Sequence, residues 1–147
     1  MDKNAMREAI VAAKAEKGMS WEELGAAVGM NPVFVCSAAL GENSMLQPEA
    51  DKLCEALGLP SDVSKALQAY PIKAQRAATM AADPLVYRLN EVILVYGETL
   101  KEVIQEKMGD GIVSAIDFTM DVDKVPDPKG DRVKITLNGK FLPYKRW

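Results

Sequence analysis

Histidine is absent from the 147 residues. Its absence excludes every Ser-His-Asp or Cys-His mechanism and removes the commonest metal ligand. Chemistry must therefore rest on arginine, lysine, carboxylates, hydroxyls, tyrosine or backbone groups. Cysteine is scarce: Cys36 and Cys54 alone, too few without histidine for a structural zinc site. A disulfide between them stays open on paper, but with no export signal two reduced, buried thiols acting as small hydrophobes are expected. No apolar stretch approaches the length of a membrane span. The opening MDKNAMREAIVAAKAEKG is amphipathic and carries acids, where a secretory leader needs an uninterrupted apolar core. A cytoplasmic protein without a membrane partner is the expectation. Basic excess is missing too. Lys and Arg number 18 against 21 Asp and Glu, a net charge of −3, which argues against a phosphate-binding surface and so against a nucleic-acid partner.

What is present is globular: 48% hydrophobic and 27% charged residues suit one ordinary domain or two small ones sharing a core. The first seventy residues read as five short helices. Residues 2–17 place Met6, Ile10, Val11 and Ala13 on one side, and Gly18 ends the run as a C′ glycine. Ser20-Trp21-Glu22-Glu23 has the form of a capping box, opening a helix through Val28 that Gly29 closes. Asn31-Pro32 supplies an N-cap and an N1 proline for a third helix to about Leu40. Two more follow, near 47–57 and 61–69.

Five helices with a tight turn between the second and third resemble the bundle of phage-repressor-type DNA-binding domains. In that arrangement the third helix reads the major groove with polar or basic side chains. Here it is Pro32-Val33-Phe34-Val35-Cys36-Ser37-Ala38-Ala39-Leu40, without Lys, Arg or Gln. DNA binding is thus an alternative with little support. A bundle whose exposed apolar positions on that helix mark a subunit contact is the better expectation.

Tyr70-Pro71 begins a break, with a linker over 76–83 containing at most one helical turn. The domains expected are 1–75, helical, and 84–147. Asp83-Pro84 caps a long helix in which Leu85, Leu89, Val92, Tyr96, Leu100, Val103 and Ile104 keep a helical period down to Lys107. Gly97 predicts a kink or close packing there, and Gly109-Asp110-Gly111 stops the helix. The period then becomes two, through Ile112, Ser114, Ile116, Phe118 and Met120. Pro126, Pro128 and Gly130 mark a loop, and Asn138-Gly139 predicts a type I′ hairpin. The fold class is α+β: a five-helix bundle, then a long helix with two or three antiparallel strands. So small a sheet leaves edges that want a partner, so oligomerisation is expected on physical grounds.

Arg88 and Glu91 lie three positions apart on the long helix, hence on one face. A solvated ion pair is the plain reading. The apolar neighbours Leu85, Leu89, Val92 and Ile93 favour a drier setting, where a buried arginine takes a fixed partner and offers its remaining donors to an anion. Ser114 sits in the apolar alternation, either satisfied by nearby backbone or directed into a site. No histidine, and no lysine beside it, is available to activate it as a nucleophile.

The runs Asp83-Pro84-Leu85-Val86-Tyr87-Arg88-Leu89-Asn90-Glu91, Val95-Tyr96-Gly97, Glu106-Lys107-Met108-Gly109-Asp110-Gly111-Ile112-Val113-Ser114-Ala115-Ile116-Asp117-Phe118 and Asn138-Gly139-Lys140-Phe141-Leu142-Pro143 together resemble the C-terminal domain of the cyanase (cyanate hydratase) family. The resemblance implies catalysis by Arg88, Glu91 and Ser114, with no metal or organic cofactor. It departs from the family at Gln105, where His is expected, at Met108, where an aromatic is expected, and at Asn90, where an aromatic is common. These departures keep a non-catalytic scaffold open as a further alternative. The implied reaction decomposes cyanate with bicarbonate, giving carbon dioxide and carbamate, which breaks down to ammonia. The implied assembly is a decamer built from dimers, with active sites between subunits. Arg88 would gather the anions, Glu91 would orient Arg88, or handle a proton if burial favours its neutral form, and Ser114 would hold the substrate by a neutral hydrogen bond.

Overall fold

The computed structural model describes residues 1–71 and 77–146. Five helices come first: α1 (Lys3–Lys17), α2 (Trp21–Val28), α3 (Pro32–Ala39), α4 (Gln47–Leu57) and α5 (Ser61–Gln68). Their ends follow the local chemistry. Asp2 accepts the Ala5 N–H at 2.8 Å, satisfying one of the orphan donors of the first turn. Ser20 and Glu23 form the reciprocal capping box, with the Ser20 N–H donating to Glu23 Oε2 at 2.7 Å and the Glu23 N–H to Ser20 Oγ at 3.1 Å. Asn31 caps α3 by accepting the Val33 N–H at 2.8 Å, with Pro32 in the first turn. The last two helices lack side-chain caps; Leu46 and Pro60 stand at their N-cap positions.

The helices bury Met6 and Ile10 of α1, Leu24 and Val28 of α2, Val35 of α3, Leu53 and Leu57 of α4, and Val63 and Leu67 of α5. Val11 is a correction. It is exposed, because one residue beyond Ile10 turns the side chain about 100° off the core stripe. The third helix corrects a second expectation. Val35, Ala38 and Ala39 enter the core and Val33 and Phe34 are half-buried, so α3 has no exposed apolar position to serve as a contact. Cys54 is buried as expected, whereas Cys36 is only half-buried; both are free thiols. Burial pushes both thiols up from their usual range, which keeps them protonated.

Residues 72–76, the end of the break that begins at Tyr70-Pro71 and the first residue of the expected linker, lie outside the described residues, and the helical turn is α6 (Ala77–Ala81). Asp83 then caps α7 (Pro84–Met108), accepting the Leu85 and Val86 N–H groups at 2.9 and 3.1 Å. The helix runs unbroken through Gly97, where an added Cβ would meet nothing within 4 Å, so close packing within the chain is not what the glycine serves. Gly109, at φ 85°, ends it. Two long strands follow, β1 (Gly111–Val125) and β2 (Arg132–Pro143), paired as one two-stranded hairpin.

The turn of that hairpin corrects the reading of Asn138-Gly139, which lies inside β2. The chain reverses instead around Asp127–Gly130, where Gly130 N–H donates to Asp127 O at 3.0 Å and Lys129 N–H to Asp127 Oδ1 at 2.8 Å. Two ion pairs flank the reversal, Arg132–Asp127 at 2.8 Å and Lys124–Asp131 at 2.5 Å. Asp127 carries an aspartate's ability to nucleate a turn through its own side chain, and Pro126 and Pro128 disfavour continued pairing.

The chain forms two compact units: Met1–Ala74 with Asp121–Val133, and Gln75–Met120 with Lys134–Trp147. In the first, Asn31 Nδ2 donates to Asp121 Oδ1 of the hairpin at 2.7 Å. In the second, the described residues bury no hydrophobic side chain, and Ser114 is the one buried residue. No helix among the described residues is long and apolar enough to cross a membrane.

Candidate active site

Arg88 and Glu91 meet one turn into α7. Arg88 Nη1 donates to Glu91 Oε2 at 3.1 Å, and the guanidinium carbon stands 5.4 Å from the centre of the Tyr87 ring. The guanidinium is therefore held on two sides, by a carboxylate and by an aromatic face. One contacted nitrogen leaves most of the fork's donors uncommitted. Tyr87 had no signal of its own in the sequence beyond adjacency to Arg88.

The expected dry setting is not present within one chain. Arg88 is 69% and Glu91 49% exposed, and α7 has no buried residue. The apolar neighbours are themselves exposed, Leu94 at 83%. Apolar spacing marks a helix face that gains by being covered, and within this chain the face of α7 is not covered. In the isolated chain this pair is a surface ion pair contributing a few tenths of a kcal/mol.

Ser114 lies on β1, 8% exposed. Its Oγ accepts the N–H groups of Ile116 at 3.1 Å and Asp117 at 2.9 Å. The strand departs from plain alternation at this point. Ile116, two residues on, should share the Ser114 face but is 98% exposed, while Phe118 and Met120 resume the inward phase at half-burial. Ser114 makes no hydrogen bond to Arg88 or Glu91 among the described residues. The fold thus brings Arg88 and Glu91 together and leaves Ser114 bonded within its own strand.

The junction between α7 and β1 is pinned from both sides of Asp110. Gln105 Nε2 donates to Asp110 Oδ1 at 3.0 Å, and the Tyr144 N–H donates to Asp110 O at 3.0 Å. Gln105, one of the departures from the cyanase pattern, therefore has a local structural task. Asn90 and Met108 are exposed.

A cavity of about 450 Å³ lies in the first unit, against Trp21, Pro32, Leu40 and Val122. The charged side chains lining it are Glu22 and Glu42, so it repels small anions. Among the described residues no group of three or more Cys, Asp or Glu side chains is arranged to hold a metal ion.

Comparison with known proteins accounts for nearly the whole chain. The family model of the cyanate hydratase N-terminal region matches residues 3–71, and that of the cyanate lyase C-terminal domain matches residues 78–146. A cyanate hydratase of Teredinibacter turnerae is 58% identical over 147 residues, covering 100% of both chains. One from a Marinomonas species is 56% identical over the same full span. Among solved structures, the crystal structure of cyanase from T. urticae superposes with a TM-score of 0.86 at 34% identity, covering 94% of this chain and 96% of that one. These matches lend no support to a DNA-binding alternative. A helical unit with its own core, an Arg-Glu pair on a long exposed helix and a buried serine on a two-stranded hairpin, matched end to end by both family models, place this chain in the cyanate hydratase (cyanate lyase) family.

Proposed function

We propose that this chain decomposes cyanate with bicarbonate, using Arg88, Glu91 and Ser114 in sites completed by neighbouring subunits. The observation that carries the reading is 58% identity to a cyanate hydratase along the full length of both chains. In balance, cyanate, bicarbonate and one proton give carbamate and carbon dioxide. Carbamate takes up a second proton and yields ammonia and a second carbon dioxide.

The physical problem is to join two anions that repel each other. At 4 Å the repulsion is about 4 kcal/mol for an effective dielectric near 20. A fixed guanidinium offsets it and holds both reactants close, where effective molarity replaces association entropy. Glu91 is the orienting partner of Arg88, through the 3.1 Å bond. Ser114 adds a neutral hydrogen bond to the bound anion. No metal or organic cofactor enters this scheme.

One arginine per chain is a thin positive site for two anions. The exposed apolar run of α7 supports covering by further copies of the chain, in the decamer of dimers that the family resemblance implies. Removing water from the Arg88–Glu91 pair by that contact would strengthen both its own bond and its hold on the substrate. Two free thiols suit the reducing cytoplasm.

The decisive measurement is ammonia release from cyanate with and without bicarbonate. The reading requires release that depends on bicarbonate, at one ammonia and two carbon dioxide per cyanate. No release from the assembled protein would leave a non-catalytic scaffold in its place. Sedimentation of an active species as a monomer would remove the intersubunit site.

A further inference from the structure

Ser114 has one hydroxyl hydrogen and two acceptor lone pairs. Both acceptor positions are occupied, by the N–H groups of Ile116 and Asp117 at 3.1 and 2.9 Å. Among the described residues the hydroxyl hydrogen has no acceptor. An oxygen so placed has no lone pair left with which to take a proton or attack a carbon; its remaining capacity is to donate. An acceptor-only ligand end, such as either terminus of a linear anion, is the matching group.

What holds this serine is visible on the opposite strand. Gly139 is not in the left-handed region, so no turn conformation demands glycine there. Space does. A Cβ at 139 would stand 2.5 Å from Val113 Cγ1, 2.6 Å from Ser114 O and 3.2 Å from Phe118 Cδ2. The valine methyl can rotate away. The carbonyl of Ser114 is backbone and cannot move without turning the peptide that carries the serine.

We infer that Gly139 is a positioning residue of the anion site: by leaving room for β2 to lie directly against the Ser114 peptide, it fixes the Ser114 hydroxyl as a dedicated hydrogen-bond donor. The inference rests on the reading of Ser114 as a site residue. Any side chain at 139 displaces the Ser114 carbonyl by several tenths of an ångström, and the donor swings off the ligand while the fold persists.

The test is a double-mutant cycle on the full-length protein, with Ser114→Ala, Gly139→Ala and the two combined. Turnover and KM for cyanate are read by ammonia release, and binding of azide, a linear anion that only accepts, by calorimetry. Each single variant should lose about ten- to hundredfold in kcat/KM, the effect of one hydrogen bond to a charged group, and weaken azide by a similar factor. The combined variant should be no worse than Ser114→Ala, with sedimentation and circular dichroism unchanged. Losses that multiply would show that Gly139 acts elsewhere, overturning the inference while leaving Ser114 in the site. Near-parental activity and azide binding in Gly139→Ala would overturn it as well. Near-parental behaviour of Ser114→Ala would remove both the inference and the reading beneath it, as would a parent that neither turns over cyanate nor binds azide. Should Gly139→Ala misfold, Val113→Ala combined with Gly139→Ala relieves the side-chain clash and keeps the backbone one. That pair should fold and show the same loss relative to Val113→Ala, and parity between them overturns the inference.

Discussion

The two units of this chain treat their apolar residues in opposite ways. Between Met6 and Leu67 the helices close a core of fully buried aliphatic side chains. Among the described residues beyond 77 no hydrophobic side chain is buried, although α7 carries as many of them as any helix in the first unit. Transfer of apolar surface out of water stabilises by about 25 cal/mol per Å², and monomers rarely leave patches beyond a few hundred Å² exposed. The first unit gains that free energy alone, whereas the second would gain it only in the proposed assembly. Stability and activity should therefore respond separately to substitutions in the two regions.

The sharpest break is on α7. Leu94→Asp replaces a highly exposed apolar side chain and should leave the helical unit folded. It should also dissociate the assembly and abolish cyanate turnover, as sedimentation velocity and an ammonia assay would show. Unaltered sedimentation would deny that this face is covered. In the first unit, Leu53→Ala opens the core and should cost about 2–5 kcal/mol in chemical denaturation, the range for buried leucine truncation. Its activity at low temperature should stay near parental. Arg88→Lys keeps the charge and loses the planar fork; turnover should fall about a hundredfold with the sedimentation coefficient unchanged. Near-normal turnover would refute the bidentate role.

The smallest effect belongs to the capping box. Ser20→Ala should lower stability by about 1 kcal/mol without changing assembly. The Ser20 backbone N–H first, and its hydroxyl second, hold the Glu23 carboxyl below the usual glutamate range. A folded-state value below the unfolded one adds stability that is full above the unfolded titration range and lost as pH falls through the folded one. Acid titration of stability should thus be shallower in Ser20→Ala than in the parent. Equal slopes would show the box to be energetically silent.

Local signals carried most of the helical reading. Ser20, Asn31 and Asp83 cap helices because each bonds N–H groups two or three residues away, an interaction the sequence alone contains. Asn138-Gly139 misled for the same reason. A turn dipeptide is a local preference, and here pairing with β1 decided otherwise. Arg88 and Glu91 were paired from spacing, but apolar neighbours look alike whether their own chain or another covers them. The alternation puts Ser114 on a strand, as found, but Ile112 and Ile116, which share its phase, are exposed. The occupation of the serine's lone pairs depends on a departure from alternation at Ile116 that no pattern of residue types encodes.

The bond from Asn31 to Asp121 has a consequence for modular exchange. Asn31 caps α3 with its oxygen while its amide reaches the hairpin, so one side chain serves both parts of the first unit. A cut at the seam between the two family matches, after residue 71, would deliver the helices without Asp121–Val133. Exchanging the N-terminal helices for another bundle of similar shape would therefore give up this exposed bond to the hairpin. A replacement keeps it only by bringing an N-cap whose amide meets an aspartate ninety residues downstream.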